Sequence, residues 1–193
     1  MATLFQDTEL ALVVVGRYPR EVRLRDGAEL TLAPLVASDG PMLEHLLHAI
    51  PPEEQRFFRR ESSEAGRVER WCRELDYDHY FPLVAWDGGE IVADGVLERE
   101  PGLWTSHVGR FRVMVHPDYR RRGLATRIAR ELIDVARDLH LHKLMCETAG
   151  RQESEIALAR SLGFEEAARL PEFICDRDAQ LHELVLLIKN LGP

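Results

Sequence analysis

Cysteine is scarce and oddly counted: Cys72, Cys146 and Cys175 in 193 residues, with neither CxxC nor Cys/His spacing. That set argues against a disulfide framework and against a zinc site, so no metal is expected. Reduced thiols are expected instead, with Cys146 a core residue of a strand. Long apolar runs are missing too, since no stretch approaches the ~20 residues needed to cross a bilayer. The short run ALVVV (Ala11–Val15) has no basic residues ahead of it, which argues against a secretory signal. Positive charge is in deficit, with 25 Lys and Arg against 33 Asp and Glu and a formal net charge of -8. A nucleic-acid binder would carry a basic domain or face. Two phosphate signatures are also lacking, GxxxxGK(S/T) and GxGxxG after an early strand, which excludes a P-loop and a dinucleotide fingerprint. There is no internal repeat. These absences leave a cytoplasmic protein with no membrane and no nucleic-acid partner.

What is present is a 45% hydrophobic chain long enough to bury one core. ALVVV reads as a strand, an interface segment or plain core. EVRLRDGAELTLAPL alternates about Asp26-Gly27 and predicts a hairpin. Met42, Leu43, Leu46, Leu47 and Ile50 recur at helical spacing after a Ser38 or Asp39 cap, and Pro51-Pro52 closes that helix. PEEQRFFRRE and GRVERWCRELD (Gly66–Asp76) predict two further helices. Asp87-Gly88-Gly89 joins PLVAW to EIVADGVLE in a second hairpin. WTSHVGRFRVMV predicts one long strand, KLMCET a short buried one, and EEAARL and HELVLLIKNL a closing pair around the polar loop PEFICDRDAQL. EIALARSLGF predicts a helix stopped at Gly163. The order predicts an α+β fold, a mixed sheet with helices on both faces.

One stretch concentrates the chemistry: VMVHPDYRRRGLATRIARELIDVARDL, Val113 to Leu139. Leu124, Ile128, Leu132, Val135 and Leu139 form one apolar helix face, opposite Arg127, Arg130, Glu131, Asp134, Arg137 and Asp138. Three arginines at the start of that helix are unfavourable, because this end already carries partial positive charge. A helix beginning at Arg122–Gly123 leaves its first amides unpaired, and these form an anion site. Gly123 lets a ligand approach the backbone, Ala125 is small, and Thr126 adds a hydroxyl. Arg120, Arg121 and Arg122 then neutralise a bound pyrophosphate.

RRRGLA (Arg120–Ala125) fits the pattern Arg/Gln-x-x-Gly-x-Gly/Ala. It resembles the coenzyme A pyrophosphate motif of the GNAT superfamily of N-acetyltransferases. IALARSLGF (Ile156–Phe164) is similar to that superfamily's downstream helix with its Leu-Gly-Phe ending. Its ALARxLGF form is similar to the acetyltransferase domain of bacterial protein-lysine acetyltransferases. The resemblance covers about 29–191 and is strongest from Val113 to Phe164. It implies a single GNAT-like domain over 1–193, with 1–28 an extension carrying the first hairpin strand. The fold it implies has a central, mostly antiparallel sheet. The strand Phe111–Val115 would splay from KLMCET, so that pantetheine bonds to backbone near Val113, Met114 and Val115. Core packing of these side chains is compatible with that role. The cosubstrate implied is acetyl-CoA, held by those residues, by Arg120–Thr126 (with Leu124 in its first turn) and by Gln152. The activity implied is acetyl transfer to a primary amine, of a small molecule or a protein lysine, by direct attack in a ternary complex. The resemblance leaves room for a homodimer.

The catalytic positions of relatives are only partly filled. The tyrosine that serves many of them as acid corresponds to Ala159, and the glutamate of the lysine acetyltransferases to Arg110. Glu147, at the end of its strand, and Glu98, near the end of another, remain as bases acting through water, or else as capping and ion-pair residues. His116 reads as a turn residue, His107 as a strand-edge residue and Tyr119 as a turn residue. Because a thiolate leaves easily, positioning can supply much of the rate. The empty tyrosine position keeps a second reading open, a catalytically weak acyl-CoA-binding sensor.

Overall fold

The computed structural model describes residues 8–58, 66–100, 102 and 104–192. Its helices are α1 (Thr8–Arg17), α2 (Gly40–Ala49), α3 (Pro52–Gln55), α4 (Arg67–Arg73), α5 (Leu124–Asp138) and α6 (Glu153–Ser161). Its strands are β1 (Arg20–Arg23), β2 (Glu29–Pro34), β3 (Tyr80–Asp87), β4 (Glu90–Glu98), β5 (Val108–Val115), β6 (Lys143–Ala149), β7 (Glu165–Cys175) and β8 (Leu181–Asn190). All eight strands join one sheet in the order β1-β2-β3-β4-β5-β6-β8-β7. Every neighbouring pair is antiparallel except β5 with β6, where α5 makes the crossover. The fold is thus α+β with a mixed sheet, as expected.

The two faces of the sheet bury two separate cores. On one, α1, α5 and α6 contribute Leu10, Val14, Leu124, Ile128, Leu132, Val135, Ile156 and Ala159. On the other, α2 and α4 bring Leu43, Leu46, Leu47, Val68 and Cys72 against Val84 and Ile91. The apolar stripe of α5 is the main anchor: Leu124, Ile128, Leu132 and Val135 are all fully buried, at about 1.5–3 kcal/mol each. Gly95 on β4 makes the close approach possible. A Cβ there would collide with Ile128 Cγ2 and lie 3.1 Å from Leu132 Cδ1.

One open reading is decided and three sequence expectations change. Ala11–Val15 lies in α1, because burial of Leu10 and Val14 four residues apart outweighs the strand preference of three valines. The helix expected over PEEQRFFRRE ends at Gln55, and its last positions, 59–61, fall outside the described residues. The long strand starts at Val108 rather than Trp104, because a turn bonds the Val108 amide to the Thr105 carbonyl at 2.8 Å and leaves Trp104 fully solvated. Finally, Pro171–Cys175 is strand, not loop. A bulge between Leu170 and Ile174, with Glu172 at φ 54, accommodates a proline that has no amide to give. The turn itself is held by Asp176, which accepts from the amides of Asp178 and Gln180, each at 2.9 Å.

Candidate functional site

β5 and β6 begin as partners and then separate. Their pairing covers only Val108↔Lys143, Gly109↔Leu144 and Arg110↔Met145. β5 continues to Val115 along β4, and β6 continues to Ala149 along β8. The amide of His116 bonds to the Val92 carbonyl at 2.9 Å, so this residue faces β4. By the alternation of an antiparallel ladder, Val113 and Val115 turn their amides and carbonyls the other way, into the gap. The Val115 carbonyl is taken by Arg120 Nε at 3.1 Å.

The gap is part of a cleft of about 1240 Å³. It runs from the first turn of α5 to a chamber between the sheet and α2–α4. Of the residues expected to hold the carrier, Val113, Met114, Val115, Arg120, Arg121, Gly123, Leu124, Ala125, Thr126 and Gln152 line it. Arg122 does not; it borders a neighbouring hollow with Arg23, Arg127 and Arg130.

The helix mouth is built as follows. A turn after His116 is held by its own Nδ1, which accepts from the Asp118 amide at 3.2 Å, so His116 shapes the turn. Gly123 caps α5 at φ 89, a conformation that favours glycine. Among the described residues no side-chain hydrogen bond caps the helix, and no acid lies in its first turn. The first intrahelical bond runs from the Arg127 amide to the Gly123 carbonyl, which leaves the amides of Leu124, Ala125 and Thr126 ahead of the ladder.

The three arginines divide. Arg120 makes a two-pronged pair with Glu54 on α3, at 2.7 and 2.9 Å. Arg122 pairs with Asp26 and lies 4.8 Å above the Tyr119 ring. Arg121 is exposed, at φ 59, with no ion pair among the described residues. The expected answer to their crowding therefore needs correction: two of the three are offset by carboxylates of the chain itself. Tyr119 is likewise committed. Its hydroxyl donates to Asp87 at 2.6 Å, and that bond above all pushes the phenol up to about 12.

On the carboxylate side, Glu147 and Glu98 both border the chamber. Glu98 stands between Tyr80 on β3 and Arg110 on β5. Gln152, at the start of α6, accepts from the Ala149 amide at 3.1 Å and donates to Glu155 at 2.6 Å. Ala159 is buried and offers no acid. His107 sits in the turn before β5, its ring 5.8 Å from that of His142. Cys146 is part-buried on β6, and burial pushes its thiol up to about 12.

Sequence reasoning missed Asp94. It lies in the middle of β4, is 2% exposed, lines the cleft and leaves Oδ1 without a hydrogen-bond partner among the described residues. Burial holds its carboxyl above the usual range, against the pull of Arg112. A lone acid inside the apolar run IVADGVL was the available signal. Beside Phe57, which borders the cleft, the residues after α3 meet the turn between β7 and β8. Arg56 pairs with Asp178 at 2.5 Å, and the Phe57 ring packs edge-on to His182 at 5.1 Å.

A family model described as Acetyltransferase (GNAT) family matches residues 43–164. The L-amino acid N-acyltransferase MnaT of Escherichia coli is 33% identical over 107 residues, which are 53% of this chain and 60% of that protein. The chain thus spans less than two thirds of that relative. Among solved structures, the GNAT domain of S. lividans PAT superposes at a TM-score of 0.73 with 20% identity, over 90% of this chain and 99% of that one. The putative acetyltransferase yncA of Salmonella typhimurium, solved with acetyl-CoA, superposes at 0.72 with 18% identity, over 86% and 96%.

Proposed function

Because the chain belongs to the acetyltransferase (GNAT) family, we propose that it transfers an acetyl group from acetyl-CoA to a primary amine, of a small molecule or a protein lysine, by direct attack in a ternary complex. The observation that carries this reading is the gap where β5 leaves β6 at Arg110, leading to the uncapped first turn of α5. The residues fit the carrier. The amides of Leu124, Ala125 and Thr126, the bare Cα of Gly123 and Arg121, which has no ion pair among the described residues, suit a diphosphate. Arg120 becomes available to it when Glu54 lets go. The backbone of Val113 offers pantetheine a strand edge. When bound, acetyl-CoA supplies an activated acyl group and a good leaving group.

The chain's own part is then to hold, dry and deprotonate the acceptor. Glu98 and Glu147 stand beside the chamber and receive the ammonium proton, directly or through water. With Ala159 at the usual tyrosine position, no acid is assigned to the leaving thiol, and positioning carries much of the rate. The acceptor named for the E. coli relative, an L-amino acid, is the first small molecule to try. Calorimetry with acetyl-CoA and a free-thiol release assay over amines and lysine peptides test this reading. Binding with turnover is the expected result. Tight binding without turnover on any amine would establish the sensor reading, which the buried Ala159 favours.

A further inference from the structure

The floor of the chamber carries two arginines that acyl transfer itself does not require. Arg110 and Arg112 are two residues apart on β5, so their side chains share one face. Met114, of the same parity, packs against the α2 and α4 core, so that face is the acceptor side. Arg110 makes no hydrogen bond or ion pair among the described residues, although it lines the cleft. Arg112 has a side chain 56% exposed, and its ion-pair contact is Asp94 Oδ2 at 3.6 Å. That distance is too long for a hydrogen bond, so among the described residues the donors of its fork remain unspent.

Two like charges about 7 Å apart on one strand face repel each other and invite an anion between them. Carboxylates stand close by as well: Glu98 lies opposite Arg110, and Asp94 opposite Met114. The walls are apolar, from Leu47, Phe58 and Trp71, with the Trp71 and Tyr80 rings 6.3 Å apart. An apolar chamber whose floor presents both signs matches a molecule that carries both. A protein lysine has no carboxylate near its amine and would leave both forks unmatched.

We infer that the acceptor is a small amine bearing its own carboxylate, an amino acid with an apolar side chain, and that Arg110 and Arg112 grip that carboxylate while Asp94 positions Arg112. The inference rests on the acyl-transfer reading and narrows it. The overall reaction balances as ammonium plus thioester giving amide, free thiol and one proton to solvent: the C–N bond forms, the C–S bond breaks, and a chamber carboxylate relays the proton.

Thiol release by the full chain with acetyl-CoA tests it. L-phenylalanine and L-methionine are each compared with the corresponding amide and decarboxylated amine. The free acids are expected to exceed both by about 10- to 100-fold in kcat/KM, as one charge-assisted contact allows. Arg112→Met should raise KM for the acids about tenfold at little cost in kcat, leave the decarboxylated amines unchanged, and be partly rescued by Arg112→Lys. Asp94→Asn should move KM in the same direction by less. Equal use of acid, amide and amine, or an Arg112→Met variant that weakens all three alike, would overturn the inference. Titration of N-acetyl-L-phenylalanine against its amide reads the same grip without turnover. A chain that bound no acetyl-CoA would therefore sink the acyl-transfer reading, while that titration still decided the grip.

Discussion

The two ends of the cleft are made in opposite ways. The carrier end is one continuous segment, β5 through the first turn of α5, in which each residue acts through local backbone geometry. The other end is assembled from α2, α3, α4, β3, β4, β5, β6 and the start of α6. Its charges meet only because the sheet lines up Tyr80, Glu98 and Arg110. A locally encoded end should tolerate change in its neighbours and fail abruptly at a few positions. An assembled end should respond to many substitutions, each modestly. The pair Arg120–Glu54 is the direct link between the two ends.

That contrast can be broken most sharply at the helix mouth. Gly123→Glu places a side chain where φ is 89, with its Cβ 3.3 Å from Arg25 Nε. The strain is about 1–3 kcal/mol, and the new carboxylate competes with the diphosphate. Acetyl-CoA affinity should fall by about 100-fold or more, two decades being about 2.8 kcal/mol, while circular dichroism stays that of a folded chain. Unchanged affinity in a folded variant would refute the placement of the carrier.

Gly95→Ala probes the support beneath that same end. Its methyl group meets Ile128 and Leu132, so α5 must shift off β4. Overpacking of this kind costs about 1–3 kcal/mol, measurable as a lower denaturant midpoint. An unchanged midpoint would show that α5 does not depend on this close approach.

A smaller, pH-dependent effect should mark the acceptor end. The folded-state pKa of Asp94 is raised, so its contribution is greatest below the ordinary carboxylate pKa of about 4. It is lost as pH rises from there through the raised folded value, because the buried group must then ionise. The thermal midpoint of Asp94→Asn, relative to wild type, should therefore rise with pH across that window. A difference that stays flat or falls would contradict the burial argument. The smallest effect belongs to the link. Glu54→Gln frees Arg120 from a half-exposed pair and should tighten acetyl-CoA binding by about threefold, the scale of such pairs. Weaker binding would mean that Glu54 holds Arg120 in place for the carrier rather than competing with it.

The legibility of the chain follows the same division. RRRGLA and the apolar stripe of α5 could be read directly, because an exposed helix mouth and a 3.6-residue period are short-range properties. The mixed sheet followed from strand and helix order, and the closing hairpin was underestimated because a bulge absorbs Pro171. The helical state of Ala11–Val15 was left open by the sequence because burial, not propensity, decides short apolar segments. Asp94 went unnoticed because one acid in an apolar strand gains meaning only from what it faces. Arg110 looked like a vacant catalytic position until its neighbour on the same face, Arg112, could be seen beside it.

The amino-acid order by itself determined that this protein has a glycine-capped helix mouth on a mixed sheet, since leading amides, a glycine at the cap and an amphipathic stripe are set within one or two turns of chain. Tertiary structure alone decided which arginines are paired, where β5 and β6 part, and which carboxylates face the chamber. Those outcomes depend on contacts between groups far apart in sequence, 66 residues for Arg120 and Glu54 and 96 for Arg122 and Asp26, and no local period encodes them.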